Sequence, residues 1–273
     1  MPSPSIALLN RTIFHLTGED AQRYLSGQCS QDLSLATPEA ACYATILNHK
    51  GKMDADIFVR AHHGGLLVDA APELREELHL RLDRYIIADD VEITDLSDNY
   101  RLLHAPLAEH LDSSAPRWSV NRFGQTATEQ LVETSQAPEA NLTLEALEEI
   151  RIANMVPAWG AELGNDTLPP EAGLEDRAIS YSKGCYTGQE VISRMRSAGR
   201  TNRKLAMLEL DALPEIPAPL LADGATLEKP AGTLTSATTI DGKHIGLAFI
   251  AKKFYSETEF QIGTSTARLI KTI

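Results

Sequence analysis

The sequence predicts an α+β protein, with ferredoxin-like units followed by a small C-terminal β-barrel. Two patterns point there. The N-terminal third runs strand–helix–strand–strand–helix–strand, the order of a split β-α-β unit. From Lys204 the pattern changes to short strands separated by turn residues, over about 70 residues, as in a small barrel. At 273 residues the chain can hold two or three packed units.

The elements follow in order. Ile6–Leu9 and Thr12–Leu16 are apolar runs read as strands. Thr17-Gly18-Glu19-Asp20 opens a helix whose inner face carries Ala21, Tyr24 and Leu25. Tyr43–Leu47 and Met53–Ala61 are strands around the turn Asn48–Lys52. Side chains alternate along a strand, so Met53, Ala55, Ile57 and Val59 share one face. Asp54, Asp56, Phe58 and Arg60 share the other, which reads as a solvent face. Gly65–Ala70 extends the sheet, and Pro72 opens a helix with Leu74, Leu78 and Leu82 spaced by four. Val91–Thr94 and Arg101–His104 are further strands, and 105–140 reads as irregular.

Leu142–Asn154 is a helix by the spacing of Leu144, Leu147 and Ile150, and Trp159 beyond it reads as a packing residue. Ile179-Ser180-Tyr181 is a short strand. Barrel strands are expected at Leu205–Leu210, Thr226–Lys229, Gly232–Thr239, His244–Ile250 and Ala267–Lys271, with a Pro-rich loop over 213–220. Asp241-Gly242 between two alternating runs marks a hairpin.

Composition narrows the function classes. There are 25 Lys+Arg against 38 Asp+Glu, a net charge of −13, so direct nucleic-acid binding is not expected. No apolar run reaches the roughly 20 residues of a membrane span, and MPSPSIALLNRTIF lacks the basic start and apolar core of a secretory signal. Cys29, Cys42 and Cys185 are an odd count without metal-ligand spacing. No bound metal and no disulfide framework are expected, and a cytoplasmic location fits.

The most informative stretch is Lys183-Gly184-Cys185-Tyr186-Thr187-Gly188-Gln189-Glu190-Val191. Thr187 and Glu190 are spaced as a capping box at a helix start. The positive end of that helix and Lys183 would both favour an ionised Cys185. A capped helix with a buried cysteine is the plainer alternative. A basic run follows, with Arg194, Arg196, Arg200, Arg203 and Lys204.

The string KGCYTGQE resembles, without a mismatch, the signature of the YgfZ family, folate-binding relatives of the glycine-cleavage T-protein. Similarity extends over Gly18–Met53, Arg151–Arg203 and two C-terminal blocks, Gly232–Ser236 and Gly246–Ala248. The resemblance implies a three-domain ring around a folate-binding channel. It divides the chain into a folate-binding region, 1–203, and a barrel, 204–273. The first region holds two ferredoxin-like subdomains, 1–50 with 115–203, and 51–114.

The resemblance further implies a folate-binding accessory protein that supports iron–sulfur cluster assembly or repair in client enzymes, including tRNA-thiolating radical enzymes. Tetrahydrofolate or a derivative is the implied cofactor, and iron–sulfur client or assembly proteins are the implied partners. Cys185 is the candidate functional thiol, tuned by Lys183. Tyr186, Gly188, Gln189 and Glu190 belong to the candidate folate site, with Arg194 and Arg203 for the glutamate tail. One cysteine is no complete cluster site, which takes about four ligands. The alternative is a tetrahydrofolate-dependent aminomethyltransferase or demethylase with Asp56 as base. Against it, Ala153 stands where the T-protein carries the glutamate that anchors the pterin. A folate-shaped scaffold that only binds a partner protein is the third reading.

Overall fold

The computed structural model describes residues 5–107, 111–199 and 201–273. Arg200 of the basic run lies outside the described residues. The first sheet comprises β2 (Thr12–Thr17), β3 (Cys42–Leu47), β4 (Met53–His62), β5 (Gly65–Ala70) and β6 (Glu92–Asp95), in the order β3-β4-β5-β2-β6. All neighbours are antiparallel. α1 (Ala21–Gln28) and α2 (Arg75–Asp83) belong to the same unit, and their apolar faces complete a core with Phe14, Leu16, Ile57, Val59 and Val68. Tyr24 and Leu25 come from α1, Leu78 and Leu82 from α2.

Beyond Asp54, which is partly exposed, the opposite face of β4 does not meet solvent. Asp56, Phe58 and Arg60 are all buried there. The second sheet contributes to their cover: β1 (Ala7–Leu9), β7 (Tyr100–Ala105), β8 (Arg117–Val120) and β9 (Ala127–Glu133), in the order β1-β7-β9-β8. β8 and β9 occupy part of the stretch read as irregular. The inward residues of β9 include Glu129, fully buried, and Gln130, so polar side chains mask its alternation. β3 and β4 are hydrogen-bonded partners on either side of residue 50, and β1 pairs with β7 from beyond residue 95. The sheets therefore divide the chain differently from the expected 1–50 and 51–114.

Charge joins the two sheets. Arg60, on β4, donates to Asp69 of β5 at 2.5 Å and to Glu129 of β9. Arg122 donates to Glu129 at 2.7 Å and to Asp69 at 3.0 Å, and Arg11 reaches Asp69 at 2.8 Å. His104 lies 3.1 Å from Glu129. Burial alone would raise the Asp69 carboxyl, but Arg122, Arg60 and Arg11 more than offset it and hold it at about 2. Glu129 is likewise held well below the usual range, with burial outweighed by Arg122 and Arg60.

The third sheet contains β10 (Arg203–Leu210), β11 (Ala218–Leu220), β12 (Gly232–Ile240), β13 (Lys243–Ala251), β14 (Glu259–Ile262) and β15 (Ser265–Thr272), in the order β11-β12-β13-β10-β15-β14. Leu221 and Gln261 exchange backbone hydrogen bonds of 2.9 and 2.8 Å, which nearly closes the sheet into a barrel. Its interior holds Leu208, Leu234, Ile250 and Phe260. The β12–β13 turn uses Asp241 (φ 50°) and Gly242 (φ 77°), both left-handed as a tight hairpin requires. Two expectations need correction. Thr226–Lys229 is a turn closed by its own backbone bonds, and the Pro-rich loop contains β11.

α3 (Leu144–Ala153), capped by Thr143, α4 (Glu175–Ala178) and α5 (Gln189–Ala198) complete the fold. Ile179–Tyr181 is no strand. Ser180 N–H donates to the Ser30 carbonyl and Ser30 Oγ to that of Ala178, so side-chain bonds replace a ladder.

Two predictions follow from this packing. Glu129→Ala leaves Arg60 and Arg122 without one of their two carboxylates, and urea denaturation should register a loss of about 3–5 kcal/mol. His62 stands in ring contact with His15, His63 and Trp118. Burial first, then His63 and His15, lower its pKa to about 4. Its contribution is therefore fully present above the ordinary histidine value of 6.5 and is lost as pH falls toward 4. In thermal melts between those pH values, His62→Gln should lose less stability than wild type.

Candidate functional site

The KGCYTGQE loop is fastened to the first unit at three points. Lys183 Nζ donates to the carbonyls of Ser26, Cys29 and Gln31, at 2.6, 2.8 and 2.9 Å. A cation thus satisfies carbonyls at the C-terminal end of α1, where the helix dipole favours it. Thr187 N–H donates to the Gly27 carbonyl. Gly188, at φ 84°, packs so closely that a Cβ would lie 2.7 Å from the Asn48 carbonyl oxygen. Gly188 is the N-cap of α5, so the capping box expected from Thr187 and Glu190 does not form. The helix starts one residue later than the box requires, and Glu190 faces outward to pair with Arg194 at 2.7 Å.

These contacts leave Cys185 exposed, whereas Cys29 and Cys42 are buried. Burial pushes the Cys29 thiol up to about 11 and the Cys42 thiol up to about 12. Lys183 serves as a clamp, with its ammonium committed to three carbonyls, rather than as a charge reserved for Cys185. Tyr186 is buried in the core shared by Leu47, Ile179, Ile192 and Met207. It packs instead of offering a face to a ligand. Gln189 is half-buried on the first turn of α5.

A separate cavity of about 570 Å³ opens where the first two sheets, α3 and the loop after it meet. Tyr43, Asp56 and Phe58 form one wall, with Arg11, Arg122, Arg151, Arg177 and Trp159 around them. The Tyr43 and Phe58 rings are 4.7 Å apart. Arg122 lies over Phe58 at 4.0 Å and Arg177 over Tyr43 at 5.4 Å. Asp56 Oδ2 accepts from Tyr43 Oη at 3.2 Å. Its Oδ1 is buried and meets no donor among the described residues. Burial raises the Asp56 carboxyl, with Arg11 opposing. Burial also raises Tyr43 well above its ordinary value, and the Asp56 charge adds to that. A buried acceptor without a donor is costly, so this wall is built to receive an N–H or O–H group.

Arg151 ties the cavity to the barrel. It donates to Glu162 at 3.0 Å and to Ser236 of β12 at 2.6 Å, while Glu162 accepts from Thr235 and Ser236. Trp159 both packs on the first core and lines the cavity.

The structure brings only part of the sequence-based site together. Asp56 is on the cavity wall, but Cys185, Lys183, Tyr186, Gly188, Gln189 and Glu190 form the fastened loop and do not line it. Arg194 lies on the exposed face of α5. Arg203 lies over Phe249, pairs with Glu171 at 2.8 Å, and lines a different depression beside the barrel. Ala153, at the end of α3, is exposed and does not line the cavity. Sequence reasoning missed Arg11, Arg122 and Arg177, which come from three distant segments. The only local signal was arginine in otherwise apolar or acidic surroundings. Among the described residues, no group of three or more His, Cys, Asp or Glu could hold a metal ion. No described helix is long and apolar enough to cross a membrane.

No family model matches the chain. The crystal structure of the glycine cleavage system aminomethyltransferase T from Bartonella henselae superposes with a TM-score of 0.80, over 99% of this chain and 86% of that one, at 14% identity. The fold is therefore that of the T-protein, ferredoxin-like units with a barrel. Within that class, the tRNA-modifying protein YgfZ of Aliivibrio fischeri is 28% identical over 295 residues, spanning 97% of this chain and 91% of the relative. YgfZ of Vibrio vulnificus is 25% identical over 98% of this chain and 91% of its own length. A mitochondrial iron-sulfur cluster assembly factor IBA57 homolog of Mycosarcoma maydis is 24% identical over 73% of this chain and 55% of its own. Over nearly its whole length this chain is thus similar to the YgfZ proteins.

The clamp predicts a measurable cost. Lys183→Met leaves three carbonyls near the end of α1 without their shared donor, and chemical denaturation should show a loss of about 2 kcal/mol.

Proposed function

We propose that this chain binds a reduced folate in the arginine-lined cavity. In that state it acts in the cytoplasm as an accessory factor for iron–sulfur protein maturation. The observation that carries the folate reading is the buried, donorless Oδ1 of Asp56 beside the Tyr43–Phe58 wall. A flat heterocycle with N–H groups answers both, and guanidinium groups suit its carboxylates. The volume also falls within the roughly 300–1,000 Å³ of small-molecule sites. When bound, a folate supplies one-carbon carrier chemistry. This chain's residues orient it: Asp56 accepts from the ring, Tyr43 and Phe58 support its face, and the arginines balance its charge.

The maturation role draws on the relatives' names and on the exposed Cys185. The thiol stands on a fastened loop where a client or assembly protein can reach it. The net charge of −13 favours an indirect link to tRNA modification, through a thiolating enzyme rather than through RNA contact. Two measurements test the proposal. Anaerobic calorimetry should detect tetrahydrofolate binding to both wild type and Cys185→Ala, and absence of binding to wild type would end the folate reading. In a strain lacking the protein, Cys185→Ala should fail to restore iron–sulfur enzyme activity, and full restoration would remove the thiol from the function.

A second reading is a tetrahydrofolate-dependent aminomethyltransferase or demethylase, with Asp56 as the base. Its support is the buried carboxyl in a T-protein fold, but a fold can host several functions. Ala153, where the T-protein resemblance expects a pterin anchor, lies outside the cavity and gives this reading no support. Methylene-tetrahydrofolate formed from a methylamine-type donor would establish turnover; we expect none.

A further inference from the structure

The cavity distributes its positive charge unequally. Arg11 donates to Asp69, and Arg122 to Asp69 and Glu129. Arg151 is held by Glu162 and Glu148. Each of these guanidiniums is paired with at least one carboxylate. Arg177 is not. Among the described residues its one hydrogen bond is from Nη2 to the Asn121 carbonyl, at 2.6 Å. No carboxylate among the described residues pairs with it, although it lines the cavity and its guanidinium lies over the Tyr43 ring.

Arg177 is also held firmly. Its own carbonyl accepts from Gln31 Nε2, the next residue's carbonyl accepts from Ser30 Oγ, and Asn121 fixes the guanidinium end. Asp56, which accepts from the Tyr43 hydroxyl, presents its unfilled acceptor. A cation without a carboxylate and a carboxylate oxygen without a donor thus both adjoin Tyr43. We propose that Arg177 is the carboxylate-binding residue of this cavity. It pairs with the glutamate of the folate while Asp56 accepts from an N–H of the same molecule. This rests on the folate reading above and adds the residue that selects glutamyl forms. It also replaces the assignment of the tail to Arg194 and Arg203, neither of which lines the cavity.

Calorimetric titration with two probes tests it: tetrahydrofolate, and tetrahydropteroate, which lacks the glutamate. Wild type should bind tetrahydrofolate at least about tenfold more tightly than tetrahydropteroate, the scale of one charge-assisted contact. Arg177→Gln should abolish that preference by weakening tetrahydrofolate alone, and Arg177→Lys should restore part of it. Equal affinities of wild type for the two probes would overturn the assignment without any variant. So would an Arg177→Gln protein that keeps the preference, or one that loses both probes equally while melting like wild type. If wild type binds neither probe, the folate reading itself falls, and Arg177 with it. Binding without a glutamate preference sinks Arg177 alone.

Discussion

Two buried carboxylates, Asp69 and Glu129, organise the N-terminal half of this protein. Each comes from a different sheet, and both are served by Arg60 and Arg122. An isolated charge at either place would be prohibitively expensive in a dry interior, and the pair is tolerable because each oxygen is approached by guanidinium or imidazole. This fixes how the sheets face one another. It also draws Arg122 over Phe58, and so helps set the wall on which Asp56 and Tyr43 stand.

The fastened loop and the cavity are two sites joined by one short stretch of backbone. Arg177 points into the cavity, and eight positions later Cys185 meets solvent. Ser30, Gln31 and Lys183 hold the stretch between them against the turn after α1. The cavity proposed for a small molecule and the surface thiol therefore share a support without sharing a pocket. That arrangement suits an accessory factor better than a single-site catalyst, which would bring its nucleophile and its ligand together.

Much of the fold was legible from sequence, because its core strands alternate cleanly and its turns use residues suited to them. Met53–Ala61, the Asp241-Gly242 hairpin and the Leu74, Leu78, Leu82 stripe are found where expected. What was hidden is what polar burial hides. Arg60 and Asp56 read as a wet face because alternation cannot tell solvent from a second sheet. Glu129 concealed β9 in the same way. The motif's location was plain, but its local geometry was not. Thr187 has the residue type and spacing of a cap, yet the helix begins after Gly188, whose left-handed backbone takes the cap position. Lys183 suggested electrostatic tuning, and only the three-dimensional arrangement reveals carbonyls as its partners. The cavity arginines come from four separate segments between Arg11 and Arg177, so no local pattern could have grouped them.

The Lys183 clamp has a consequence for how the protein is made. The far end of α1 is finished by a side chain that lies 157 positions after Ser26. While the ribosome is still short of that lysine, the first sheet can form but its helix keeps its terminal carbonyls in water. The amino-terminal unit therefore reaches its final state only after the motif has emerged. Assembly of the thiol-bearing loop and completion of the first domain become one event, and a nascent chain lacking the former cannot present the latter in finished form.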